Sequence, residues 1–279
     1  MSDKNGEGLG KELILKLQEQ RPTTVTIERT HKDADTAFPL VSRPVLQLDN
    51  CQNLTVTDFY PEAVAHVLSA VAFISLRRIS ITTTPYTRDD GIFPSIFTQI
   101  PQVIKDIAHN AVHVDYYAGI CDLRLSVKGD TPEGNLSIEL SEHLPDIDSH
   151  LCRDLKIDLL QTHVQQFGMK PQSLGFSIGA DDDAPSFTED IWQSVLLDCD
   201  TAKKLSLSLC EPGILGPFLE AFDVLYLVCP ELIDLQLNIG HSNFNRDLFE
   251  ELLERRRGIG AAIERISNSQ DNYGPEDDE

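Results

Sequence analysis

At 279 residues, with 41% hydrophobic and 24% charged positions, the chain has the length and usage of a folded domain with a sizeable core, which excludes a stapled mini-protein. Lys and Arg number 23 against 45 Asp and Glu, and the resulting charge of −22 repels phosphate backbones and anionic lipid. No apolar run reaches the ~18 residues of a membrane span, so neither nucleic acid nor membrane is an expected partner.

Met1 to Gln20 carries no apolar core of signal-peptide length and is interrupted by Gly6, Gly8, Gly10 and several charges, which points to the cytoplasm or nucleus. Six cysteines, Cys51, Cys121, Cys152, Cys199, Cys210 and Cys229, show no C-x-x-C spacing and read as buried thiols. Thr23 to Ile27 alternates as a strand. Val45 to Leu48 is the next strand, followed by a helix over Pro61 to Ala72 and a strand at Arg78 to Ile81. Thr82 to Phe97 reads as an inserted loop, and His109 and His113, four apart near Asp106 and Asp115, read as helix-surface residues. Asp122 to Leu125 and Asn135 to Ile138 are strands joined across Gly129 to Gly134, a hairpin turn and not a crossover. Two more strands follow at Asp154 to Ile157 and Ser173 to Phe176.

The C-terminal half is more regular. Ser186-Phe187-Thr188-Glu189 has the form of a capping box ahead of Ile191, Trp192, Val195 and Leu196, which share one helix face. Lys204 to Leu207 is a strand, Ile214 to Tyr226 a helix, Asp234 to Leu237 a strand and Leu248 to Arg257 a helix, before Arg265-Ile266. Leu174, Leu205, Leu235 and Ile266 follow one another at 31, 30 and 31 residues. A strand–helix unit of this size buries its apolar face by stacking on neighbours. The expected fold is therefore α/β: a leucine-rich-repeat-like solenoid with a parallel sheet on the concave side, helices on the convex side and an irregular N-terminal half. A doubly wound sheet is the competing arrangement, but it predicts no fixed interval. Residues 1–20 read as a polar N-terminal segment or cap, 21–267 as the repeat domain and 268–279 as a disordered acidic tail.

Three pieces carry a family resemblance: Glu189 to Leu196; Cys229-Pro230-Glu231-Leu232-x-x-Leu235-x-Leu237; and Phe249 to Leu253 running into Arg255-Arg256-Arg257. Residues 186 to 267, and more faintly the chain from Val45 on, resemble the final repeats of the F-box leucine-rich-repeat proteins of mushroom-forming fungi. The resemblance implies a repeat-type recognition domain. Residues 1 to 45 hold one short apolar helical cluster, Leu13, Ile14, Leu15 and Leu17, and no F-box is read there, so an adaptor of the Skp type is not expected to bind.

Gly175-Phe176-Ser177-Ile178-Gly179 matches the G-x-S-x-G elbow, but Ala180-Asp181-Asp182-Asp183 after it cannot start the required helix. The stretch reads as a strand with Leu174, Phe176 and Ile178 inward. Gly6 to Lys11 lacks the spacing of a phosphate loop, and the acidic runs lack the spaced oxygens of a calcium loop. No catalytic residue, metal ligand or cofactor is expected. Trp192 reads as a core residue and Arg255 to Arg257 as a helix end. The expected activity is non-catalytic recognition of an unknown protein partner. Its candidate face is formed by the outward residues of the strands: Gln47 and Asp49, Ser80 and Thr82, Arg124 and Ser126, Lys156 and Asp158, Gly175 and Ser177, Ser206 and Ser208, and Gln236 and Asn238. The alternatives are a ubiquitin-ligase substrate receptor with a degenerate F-box, a repeat-type GTPase-activating regulator, and a hydrolase at Ser177.

Overall fold

Alternation of apolar and polar residues writes most of the architecture. The computed structural model describes residues 19–28, 46–61, 64, 68, 71–84, 96, 102–109, 111–119, 122–131, 134–143, 170–179, 188–197, 199–209, 212–222, 228–239 and 246–268. Its strands are β1 (Thr24–Glu28), β2 (Leu46–Gln47), β3 (Asn53–Phe59), β4 (Val71–Ala72), β5 (Arg78–Thr83), β6 (His113–Ala118), β7 (Asp122–Thr131), β8 (Gly134–His143), β9 (Ser173–Ile178), β10 (Lys204–Leu209), β11 (Asp234–Ile239) and β12 (Arg265–Asn268). The helices with described bounds are α1 (Gln102–Ala108), α2 (Glu189–Leu197), α3 (Pro212–Ala221) and α4 (Arg246–Gly258), and Pro61, Val64 and Leu68 are also helical. Among the described residues, no helix is long and apolar enough to cross a membrane.

Ten strands form one sheet in the order β1-β3-β5-β8-β7-β6-β9-β10-β11-β12, and β2 pairs with β4 in a separate two-stranded sheet. Every pairing in the large sheet is parallel except those of β7, which runs antiparallel to both β6 and β8. The fold is thus mixed α/β with a mostly parallel sheet. The strands β9 to β12 are consecutive parallel neighbours, and their register places Leu174 against Leu205, Leu205 against Leu235 and Leu235 against Ile266. The 31, 30, 31 interval read from sequence is the register of the sheet.

One backbone arrangement recurs where the strands begin. The carbonyl of Thr23 accepts the N–H groups of Gln52 and Asn53, that of Gln52 those of Arg77 and Arg78, and that of Val112 those of Gln172 and Ser173. Gln172, Lys203 and Ile233 do the same for the next strand along, all at 2.8–3.1 Å. Each carbonyl uses both lone pairs, which fixes every new strand to the start of its neighbour. A tight turn precedes several of these starts: Cys51 N–H donates to Leu48, Ala111 to Ala108, Ala202 to Cys199 and Leu232 to Cys229. Cys51, Ala108, Ala111, Cys199, Ala202 and Cys229 are buried at these turns, as are Leu48 and Leu232, so each turn adds its side chains to the packed layer. Cys121, Cys152 and Cys210 lie outside the described residues.

The inward faces of the strands form one core with the helices. An aromatic chain crosses it: Tyr116 stacks on Phe176 at 5.2 Å, Phe176 meets Trp192 edge-on at 5.4 Å, Trp192 meets Phe218 at 5.2 Å, and Phe218 meets Phe222 at 4.9 Å. The series joins β6 and β9 to α2 and α3, so the helices cover the apolar face. The apolar face carries two polar register partners, Thr83 and Glu142, whose side chains hydrogen-bond at 3.5 Å.

Several expectations are corrected. The strand expected at Val45 to Leu48 does not join the large sheet, because Leu46–Gln47 pairs with β4; the large sheet takes β3 instead, whose Leu54 and Val56 face inward. The 44-residue interval from Ile79 to Leu123 is not one repeat with an inserted loop, because it contains β6 and because β5 pairs with β8 and not with β7. His109 and His113 do not share a helix: His109 follows α1 and His113 opens β6, where Val114, Tyr116 and Ala118 alternate inward. Across β8-β7-β6 the sheet is continuous, and β7 makes it mixed. The Thr82–Phe97 loop begins as strand, since β5 runs to Thr83.

Candidate functional site

The face of the sheet opposite the helices is built from the alternate, outward residues. Register aligns them into rows. One row reads Thr26, Thr55, Ser80, Glu139, Ser126, Asp115, Gly175, Ser206, Gln236 and Ser267. The next continues from Ser141 through Arg124, Tyr117, Ser177 and Ser208 to Asn238.

Where the two rows cross β8 to β10 the face sinks into an open depression of about 350 Å³. Gly175, Ser177, Ser206 and Ser208 make a floor of small groups, and Asp115, Tyr117, Arg124, Ser126 and Glu139 stand beside it. Two glycines shape it. A Cβ on Gly175 would lie 2.3 Å from Asp115 Oδ1, and one on Gly119 would lie 2.7 Å from the Tyr117 hydroxyl. The carboxylate and the ring therefore occupy space that only glycine leaves free.

Arg124 lies with its guanidinium carbon 5.4 Å from the centre of the Tyr117 ring and its Nη2 3.3 Å from Asp122 Oδ2. His143 Nδ1 contacts the other oxygen of Asp122. Of this cluster, Tyr117 and Arg124 line the depression. Asp115 and Glu139 flank Ser126 in the row below, so the wall offers a guanidinium, a half-exposed phenol and two carboxylates. Asn238 Nδ2 donates to Ser208 Oγ at 3.3 Å, extending the polar floor onto β11.

Of the residues expected on this face, Arg124, Ser126, Gly175, Ser177, Ser206 and Ser208 meet at the depression. Ser80, Thr82, Gln236 and Asn238 lie along the same rows. Gln47 belongs to the small sheet and Asp49 to the turn after it, so neither joins the rows. Lys156 and Asp158 lie outside the described residues. Asp115, Tyr117 and Glu139 were not anticipated, although the alternation Val114-x-Tyr116-x-Ala118 carries the first two.

Ser177 is the penultimate residue of β9, paired in register with Tyr117 and Ser208, and residues 180–187, where the helix of an elbow would begin, lie outside the described residues. Trp192 is fully buried beneath the sheet. Among the described residues, no three His, Cys, Asp or Glu side chains converge as metal ligands. Comparison with protein families, with curated proteins and with solved structures gives no match.

Proposed function

We propose that this protein is a non-catalytic recognition scaffold, a leucine-rich-repeat-like solenoid whose open sheet face binds a protein partner. The observation that carries the reading is the division of the sheet. Helices pack on its apolar face, and the other face presents rows of mostly polar side chains, interrupted by Gly175, with a depression at their centre. The regular register of β9 to β12 and the repeated two-donor carbonyls support a repeat architecture. An open, polar, small-residue floor beside an aromatic–guanidinium pair suits a protein surface, where Tyr and Arg are favoured anchors.

In this reading the chain resembles the substrate-binding repeats of F-box proteins without their adaptor contact. A stable interface removes roughly 1,600 Å² in total. The cluster Leu13 to Leu17 is too short to supply its share. Mixing the purified chain with a Skp-type adaptor at micromolar concentration tests this: separate elution on a sizing column is expected. Co-elution would instead make the protein a ubiquitin-ligase substrate receptor.

A further inference from the structure

A second recess, of about 260 Å³, lies where β3, β5 and β8 begin, and Gln52, Asn53, Arg77, Arg78 and Asn135 line it. The backbone fixes its parts. The Gln52 carbonyl accepts the N–H groups of both Arg77 and Arg78 at 2.9 Å, so two consecutive guanidinium stems start from one anchored point. The Arg77 carbonyl accepts Ser137 N–H at 2.8 Å and ties in β8 just after Asn135. Asn53 is the register partner of Arg78, and its carboxamide is held by a 3.1 Å bond to Thr24 Oγ1.

Arg77 Nε is buried and has no hydrogen-bond partner among the described residues. Neither arginine forms an ion pair among the described residues, in a chain with 45 acidic side chains against 23 basic ones. The described residues lining the recess are two arginines and three carboxamides, with no carboxylate among them. Both arginines therefore lack an anionic partner there, and an anion entering the recess can take that place.

We propose that this recess binds a phosphate group. Two guanidinium groups and three carboxamides offer more donors than the two oxygens of a carboxylate accept, and they match the three terminal oxygens of a phosphate or its monoester. The overall charge of −22 does not forbid it, because distant charges are screened beyond about 8 Å at physiological salt. The site does not depend on what the open face binds.

The test is calorimetric titration of the full chain with inorganic phosphate, phenyl phosphate and acetate in 0.15 M NaCl. Saturable one-to-one binding of a phosphate is expected, weakened at least tenfold by Arg77→Gln and by Arg78→Gln and unchanged by Lys204→Gln on β10. Acetate should bind at least tenfold more weakly. A preference for phenyl phosphate assigns the site to a phosphorylated partner, and a preference for the free ion assigns it to inorganic phosphate. In the unmutated chain, phosphate should shift the amide resonances of Gln52, Arg77, Arg78 and Asn135. No saturable binding, equal binding by the arginine variants, acetate binding as tight as phosphate, or shifts confined to other residues would overturn the proposal.

Discussion

Arg256 Nη2, in the last turns of α4, donates to the Cys229 carbonyl at 3.0 Å, holding a residue whose backbone is left-handed at φ 44°. Arg256 Nη1 donates to the Val228 carbonyl at 3.1 Å, and the guanidinium carbon lies 4.9 Å from the Phe222 ring centre. The arginine is buried, and burial lowers its pKa while the Cys229 thiol opposes the shift. It is a tie between the terminal helix and the turn before β11, not the solvated helix end expected of Arg255 to Arg257.

Arg256→Ala should therefore destabilise the fold by about 3 kcal/mol, since it removes two charge-assisted hydrogen bonds and leaves both carbonyls buried. Arg256→Met, which keeps the stem, should recover part of the loss. Urea denaturation followed by circular dichroism measures both, and an alanine variant as stable as the parent would contradict the role.

Burial pushes the Cys229 thiol up to about 12, with Arg256 pulling it down and Asp200 pushing it further up. Burial also raises Cys51 and, well above its usual value, Tyr116. All three groups hold their protons more tightly folded than unfolded. The Cys229 contribution is complete below the unfolded thiol value of about 9 and is lost as pH rises toward about 12, and Cys51 and Tyr116 act in the same direction. Melting temperature should fall steadily above pH 9, and Cys229→Ala should flatten that fall. Iodoacetamide at pH 8 should leave Cys229 unmodified until the chain unfolds; rapid native labelling would contradict its burial.

Ser177→Ala should leave stability within about 0.5 kcal/mol of the parent, because the hydroxyl is half-buried on the open face of β9 and its loss opens no core cavity. A fluorophosphonate probe should not label the serine. Covalent labelling at Ser177 would restore the hydrolase reading.

At Gly175 the new methyl of Gly175→Ala would meet the Asp115 carboxylate at 2.3 Å. Asp115 is exposed and its carboxylate can swing aside, so stability should change by less than about 1 kcal/mol while the wall of the depression is rearranged. A thermal melt together with partner binding separates the two effects. A loss of several kcal/mol would show Asp115 to be locked in place.

Legibility followed how local each signal is. The strands β9 to β12 could be read with their register because each repeats one pattern, Leu205-x-Leu207 and Leu235-x-Leu237, at nearly constant spacing. The β7–β8 hairpin was legible from its glycine-flanked turn. β3 was hidden by an apolar Val45–Leu48 that looked like a better strand, and β6 by the helical spacing of His109 and His113. The four-part turn, seen as Cys199-x-x-Ala202-x-x-Leu205-x-Leu207 and again as Leu48-x-x-Cys51-x-x-Leu54-x-Val56, would have corrected both, since Ala108-x-x-Ala111-x-x-Val114-x-Tyr116 repeats it. Half of the depression came from alternation alone. Its other half, Asp115, Tyr117 and Glu139, depends on β6, β7 and β8 folding back between β5 and β9, and no local pattern specifies that order. The burial of Arg256 and of Arg77 Nε is likewise a property of packing between distant segments.

The most direct test of the recognition face is site-specific photo-cross-linking in the native cell. A photoreactive amino acid is placed at Ser206 or Ser208 on the open face, and in parallel at Leu197 or Glu250, which are exposed on α2 and α4. The account predicts one protein cross-linked from both serine positions, lost when Tyr117→Ala and Arg124→Ala remove the wall of the depression, and absent from both helix positions. Cross-links to that protein from the helix positions, or serine-position cross-links that survive loss of the wall, would contradict it.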